Sequence, residues 1–215
     1  MQPDTDETVT FDPDQLKHDE QYKLMVGSVV PRPIALVSTL GPQGPNAAPF
    51  SFFNAFGIDP PMIAFSASTR SGVLKDTLRN IRKTGEFVVH IVDDALKEKM
   101  NICAIEYADE VNEIAEAGLR TAPSLKVRPP RLIDCPVQME CKLVQTVLLG
   151  RSPYEMVIGE VVQFHYRKGL VNARYHVNAG LLNPLGRLAG YDGYTRITDR
   201  FPMERLPVPP GKKPA

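Results

Sequence analysis

Residues 31–92 read PRPIALVSTLGPQGPNAAPFSFFNAFGIDPPMIAFSASTRSGVLKDTLRNIRKTGEFVVHIV, and the order of runs and breaks within them decides the fold. IALVST at 34–39 is apolar on both faces, which predicts a strand buried on both sides. The GPQGP turn at 41–45 leads back into a second expected strand over 46–56, a hairpin with a longer loop. Asp59, Pro60 and Pro61 break the chain before a third strand, MIAFSAS at 62–68. Leu78 and Ile81 share one face of a short helix expected over 77–84, with Gly85 as its stop. A fourth strand is expected at 87–92.

The third strand ends in Ser66, Ser68, Thr69, Arg70 and Ser71, and Lys75, Asp76 and Thr77 follow where the helix begins. Hydroxyls and free N–H groups donate to a phosphate, and cations neutralise it. GPQGPN at 41–46 lacks the G-x-G-x-x-G spacing and no Walker motif occurs, so a phosphate bound here reads as that of a mononucleotide.

Further outward, the chain of 215 residues is long enough for one domain with a substantial core. Its 25 basic and 25 acidic residues balance, which argues against a general nucleic-acid binder or a polybasic membrane surface. No apolar run is long enough to span a bilayer. The first twenty residues are acidic and polar, unlike a signal peptide. Cys103, Cys135 and Cys141 have no metal-ligand spacing and read as buried thiols in a reduced, cytoplasmic setting. Residues 1–20 are expected as a flexible arm, 21–200 as the folded domain and 201–215 as a proline-rich tail.

Asp93 and Asp94 are expected to cap a helix reaching to about 105, and a second acidic helix is expected over 110–117, ending at Gly118. Residues 137–149 and 154–166 form another expected strand pair around 150–153. About fifty residues with little strand pattern close the chain, including a Gly-rich segment at 183–194. Six strands, many in hairpins, with helices inserted between them, point to a mainly β fold: an antiparallel six-stranded barrel.

APFSFFNAFGIDPP (48–61), KDTLRNI (75–81) and GEFVVHIV (85–92) resemble the flavin reductase-like family with the FMN-binding split-barrel fold. The resemblance continues through DEVNEIAEAGL (109–119), CPVQMECKL (135–143), IGEVVQFH (158–165) and PLGRLAGYDGY (184–194). It implies a Greek-key split barrel, non-covalent FMN, a homodimer, and electrons taken from NADH or NADPH. An oxygenase or other electron acceptor would be the downstream partner.

Under this resemblance Ser66, Ser68, Thr69, Arg70, Lys75 and Thr77 are phosphate candidates, against the bland alternative of a solvated strand end. Asp76 repels a phosphate and is expected to cap the helix and orient a cation; Asn80 is expected to tie the helix back. Ser51, Phe52, Phe53 and Asn54 suit the flavin ring, which needs an apolar platform and polar groups at its edge. One aromatic of Phe50 and Phe52 is left for the core, and Asn46 and Ala47 are read at the edge of the same pocket. His90 reads as an interior histidine. No catalytic residue is certain; His176, Arg187 and Tyr191 are the candidates near the ring, and Arg32 is a weaker contributor. No metal site is expected.

The expected function is an FMN-binding oxidoreductase, a flavin reductase moving hydride from a nicotinamide to FMN. Two rivals remain: an FMN-binding electron-transfer or carrier protein without its own nicotinamide reaction, and a flavin-free split-barrel interaction module.

Overall fold

The structure, a computed structural model, describes residues 8–68, 74–151, 154–189 and 192–207. Among them the helices are α1 (His18–Ser28), α2 (Asp76–Thr84), α3 (Lys97–Ile102), α4 (Glu113–Glu116) and α5 (Ala179–Leu182). The strands of the main sheet are β2 (Ala35–Gly41), β3 (Gly44–Phe50), β4 (Phe53–Ile58), β5 (Pro61–Ser68), β6 (Glu86–Ile91), β9 (Val137–Leu149) and β10 (Tyr154–Tyr166). Two small sheets hold β1 (Arg32–Pro33) with β11 (Leu185–Arg187) and β12 (Tyr194–Arg196), and β7 (Thr121–Ala122) with β8 (Arg131–Leu132).

The main sheet is antiparallel throughout and runs β3-β2-β6-β9-β10-β5-β4. It has seven strands where six are expected, because the run expected as one strand over 46–56 is two, β3 and β4. These two strands are the opposite ends of the sheet order, yet only Ser51 and Phe52 separate them. So short a link spans roughly 11 Å, whereas a flat sheet of this many strands would be more than twice as wide. The sheet is therefore curled until its ends approach. Phe50 of β3 reaches Phe65 of β5 with ring centroids 4.8 Å apart, and the Ser66 N–H donates to the Phe52 carbonyl at 2.8 Å. Pro45 and Pro49 sit in β3, an end strand of the sheet, where a missing N–H removes no interior ladder bond.

Alternation along β2 explains why 34–39 carries no polar face. Ala35 and Val37 enter an inner core with Phe65, Phe87, Val89 and Val157, while Ile34 and Leu36 enter an outer core with Val92, Met100 and Ile114. Helix α2 lays Leu78 and Ile81 into the inner core and stops at Gly85, whose φ of 69° is the left-handed region that glycine adopts without strain.

Other expectations need correction. Asp93 makes no side-chain cap; it pairs with Arg167 at 3.1 Å, and the helix expected to reach about 105 is a 3-10 turn at Asp94–Leu96 followed by α3. The second acidic helix shrinks to α4, capped by the Asn112 side chain, which accepts from the backbone N–H of Ile114 and Ala115. The arm expected over 1–20 runs into α1 at His18, and the closing segment contributes β11 and β12. Helix α1 escapes a search for apolar periodicity because Val26 is its one buried residue.

Candidate functional site

The corner between β3 and β4 projects Ser51, Phe52, Phe53 and Asn54 into a cleft of about 370 Å³, together with Ser66 of β5 and Arg32 of β1. Met25 of α1, Val29 at the C-cap of α1 and Phe56 of β4 stand on its rim, and all three are exposed. Phe52 and Ser66 also line a larger adjoining cleft of about 630 Å³, reaching His18, Arg151 and Tyr154. Phe52 and Tyr154 lie 6.2 Å apart between ring centroids. The corner has this shape because the strand must leave one end of the sheet for the other. The crossing turns Phe50 inward and leaves Phe52 about one-third exposed (36%). Phe50 is thus the core aromatic of the pair.

The Arg32 guanidinium is held on the wall of this cleft. Its Nη1 donates to the carbonyls of Val26 at 2.6 Å and Val29 at 2.8 Å, and its Nη2 to that of Leu188 at 3.0 Å. Those first two carbonyls close α1, so the cation also complements the negative end of the helix. The guanidinium carbon lies 5.9 Å from the Phe52 ring centroid.

Asn46, Lys75, Asp76 and Thr77 gather on a second cleft, of about 290 Å³, shared with Arg79 and Glu113. Lys75 is the N-cap residue of α2 and places its ammonium 5.7 Å from the Phe50 ring centroid. Asp76 makes no cap. It pairs closely with Arg79, which also binds Asp109 at 2.6 Å. Burial pushes the Asp76 carboxyl above its usual range against the pull of Arg79. Burial also raises Glu113, one of whose oxygens is buried without a hydrogen-bond partner among the described residues.

Asn46, on the edge of that cleft, also joins a buried network. Its Oδ1 pairs closely with Thr39, and Asn80 Nδ2 donates to Thr39 Oγ1 at 2.9 Å. Asn80 therefore ties α2 to the β2–β3 hairpin. Ala47 is fully buried in the outer core and Thr77 is 1% exposed. Ser68 ends β5 opposite Tyr154. Thr69, Arg70, Ser71 and Tyr191 lie outside the described residues.

His176 is exposed after β10, its backbone N–H donating to Asn172 Oδ1 at 3.0 Å. Arg187 lies in β11 directly opposite Arg32, with its guanidinium 4.5 Å from the Tyr194 ring centroid. Neither lines the cleft of Phe52. His90 is an interior histidine: its Nδ1 bonds the Leu36 carbonyl at 2.8 Å and its Nε2 accepts from the Leu132 N–H at 2.9 Å. Among the described residues no group of three or more His, Cys, Asp or Glu could hold a metal ion, and no helix is long and apolar enough to cross a membrane. The wall formed by α1 and the adjoining residues Arg151 and Tyr154 carried no sequence signal. The only hint was the exposed aromatic corner they surround.

Residues 26–181 match the family described as Flavin reductase like domain. A protein of Deinococcus radiodurans is 37% identical over 91% of this chain and 89% of its own length, and YwrF of Bacillus subtilis is 37% identical over 91% and 98%. Among solved structures, nitrilotriacetate monooxygenase component B from Bacillus cereus superposes with a TM-score of 0.89 at 32% identity, covering 93% of this chain and all of that one. The 2-nitrobenzoate 2-nitroreductase NbaA of Pseudomonas fluorescens gives 0.82 at 36%, covering 96% and 100%. A protein with a split-barrel domain from Shewanella frigidimarina shares the fold, with a TM-score of 0.77 at 20% identity, covering 94% of this chain and all of that one. With a curled, mainly β sheet, an aromatic cleft at its corner and these matches over most of its length, the chain belongs to the flavin reductase-like domain family.

Proposed function

We propose that this protein is an FMN-binding flavin reductase, taking hydride from NADH or NADPH, on a Greek-key split barrel. The observation that carries the reading is the corner cleft, lined by four aromatic residues, two hydroxyls, one amide and one buried cation. The donor set fits a flavin. Phe52 and Phe53 offer an apolar platform, Ser51 and Asn54 offer hydrogen bonds at an edge, and Arg32 Nε is buried with no hydrogen-bond partner among the described residues. When bound, FMN supplies the hydride-accepting chemistry; the protein supplies binding, orientation and charge. Ser66, Ser68 and Lys75, with Thr69 and Arg70 between them in sequence, are assigned to the phosphate. The cleft needs no acid or base, because hydride transfer moves no separate proton.

We further assign a homodimer, a cytoplasmic setting consistent with three free buried cysteines, and an oxygenase as electron acceptor. The similarity to nitrilotriacetate monooxygenase component B supports that last assignment. The similarity to NbaA favours a second reading, in which FMN stays bound and a small aromatic molecule is reduced in the same cleft.

The test is anaerobic mixing of the FMN-loaded protein with each nicotinamide while the flavin absorbance is followed. The proposal expects bleaching by at least one of them; protein that takes up no FMN on reconstitution, or loaded protein that neither donor bleaches, overturns it. Release of the flavin after bleaching supports a reductase feeding an oxygenase. Retention, with reoxidation by a nitroaromatic, supports the second reading.

A further inference from the structure

Arg32 is 6% exposed, and its three hydrogen bonds all go to backbone carbonyls. No carboxylate among the described residues pairs with it. Its direct neighbour across the β1–β11 ladder is another cation, Arg187. Burial lowers the Arg32 pKa, Tyr22 opposes that and Arg187 adds to it, but a guanidinium stays charged at neutral pH. A buried charge without a counter-charge is costly, and the closing carbonyls of α1 offset only part of that cost. Such a site favours any negative charge that arrives next to it. Arg32 lines the cleft beside Phe52, so a ring filling that cleft lies against it.

We propose that Arg32 sets the oxidation–reduction balance of the cleft, by stabilising the negative charge that enters with a hydride. This rests on the flavin reading above. A hydride carries two electrons and one proton. Its transfer breaks the C4–H bond of the nicotinamide and forms an N–H bond at flavin N5. The donor leaves as the oxidised nicotinamide, and the cleft is left one unit more negative. Arg32 meets that charge with a fixed cation that needs no rearrangement, which is where preorganised electrostatics contribute most. The oxidised ring is neutral and draws little from the same cation, so Arg32 separates the affinities of the two redox states more than it raises either alone.

The test uses the full-length protein loaded with FMN, and two variants. Arg32→Gln removes the charge but keeps an N–H donor for the α1 carbonyls; Arg32→Lys keeps the charge. Oxidised and reduced FMN are titrated separately, and the midpoint potential is measured by spectroelectrochemistry. Arg32→Gln should bind oxidised FMN within about threefold of wild type and reduced FMN at least about tenfold more weakly, a fall in midpoint potential of about 30 mV for each tenfold. Arg32→Lys should remain near wild type in potential. An unchanged potential in Arg32→Gln overturns the proposal. So does an equal fall in both variants, or a variant that loses both redox forms alike, because each marks a purely structural role through α1. Wild-type protein that binds no FMN defeats the flavin reading itself, a result distinct from all of these.

Discussion

At the scale of single residues, several buried polar side chains find partners far away in the chain. Glu155 on β10 is 2% exposed and takes both its donors from Arg82 of α2, Nε at 3.1 Å and a closer Nη2. Arg82→Ala leaves that carboxylate without them and should lower stability by about 1.5–3 kcal/mol. Urea melts of the two proteins measure it, and a loss below ~0.5 kcal/mol would show that water replaces the guanidinium. His90 predicts a pH dependence. It is fully buried, and burial holds its pKa down from 6.5 to about 4. The unfolded chain therefore takes up a proton that the folded protein refuses. Stability present above pH 6.5 should fall on acidification through that window, by ~3 kcal/mol in all. Glu140 adds its loss lower. Burial alone would raise its pKa, but the Leu125 N–H, His165 and the Lys126 N–H outweigh burial and hold it below 4.5. Its stabilisation is present above that value and is lost as the pH drops further. Melts at stepped pH should slope from about 6.5; a flat profile down to pH 5 would contradict the assignment of a neutral His90.

At the scale of elements, the hairpins were legible and the corner was not. The expected pair 137–149 and 154–166 agrees with β9 and β10, and Gly85 ends α2 as expected, because turn chemistry and period are local properties. The split of 46–56 into β3 and β4 could not be read, since no Gly or Pro falls between Phe50 and Phe53 to mark a break. Only the closing approach of the sheet ends breaks it at Ser51 and Phe52. Sheet curvature also brings Phe87 of β6 over Gly159 of β10, so that a Cβ at Gly159 would lie 2.4 Å from Phe87 Cζ. Gly159→Ala should cost about 1–3 kcal/mol through overpacking. Adding Phe87→Leu should recover part of it. If the double variant is as weak as the sum of the two single ones, the contact is not the cause.

At the scale of the whole molecule, the corner cleft has an apolar rim that the described residues leave uncovered. β4 ends the sheet order, and it carries Phe56 at 67% and Ile58 at 91% exposure. A sheet end with exposed large apolar side chains is a surface that folded proteins ordinarily cover. A second copy closing by two-fold symmetry is the simplest cover. Light scattering should then give twice the chain mass of 23.8 kDa. Ile58→Lys should shift the protein toward monomer and weaken FMN retention by about tenfold if the partner closes the cleft. A wild-type monomer that holds FMN tightly would sink the idea, and a dimeric Ile58→Lys variant would move the interface elsewhere.

The sequence by itself determined which segments are strands buried on two faces, where hairpins and the α2 stop fall, and that Ser51 to Asn54 is a polar and aromatic exception in a strand context. Those properties follow from period and turn chemistry within a few residues. Only the tertiary structure decided that Ala47 belongs to the interior, that Asn46 bonds Thr39 at the edge of a second cleft, that Asp76 serves Arg79 instead of capping, and that Arg187 stands opposite Arg32 and outside the cleft of Phe52. It alone brought α1 to the cleft wall, where Arg32 joins the end of α1 to Leu188, 156 residues further along the chain. No local pattern encodes a contact of that separation. It exists because β1 pairs with β11, which sets the Leu188 carbonyl beside Arg32 at the end of α1.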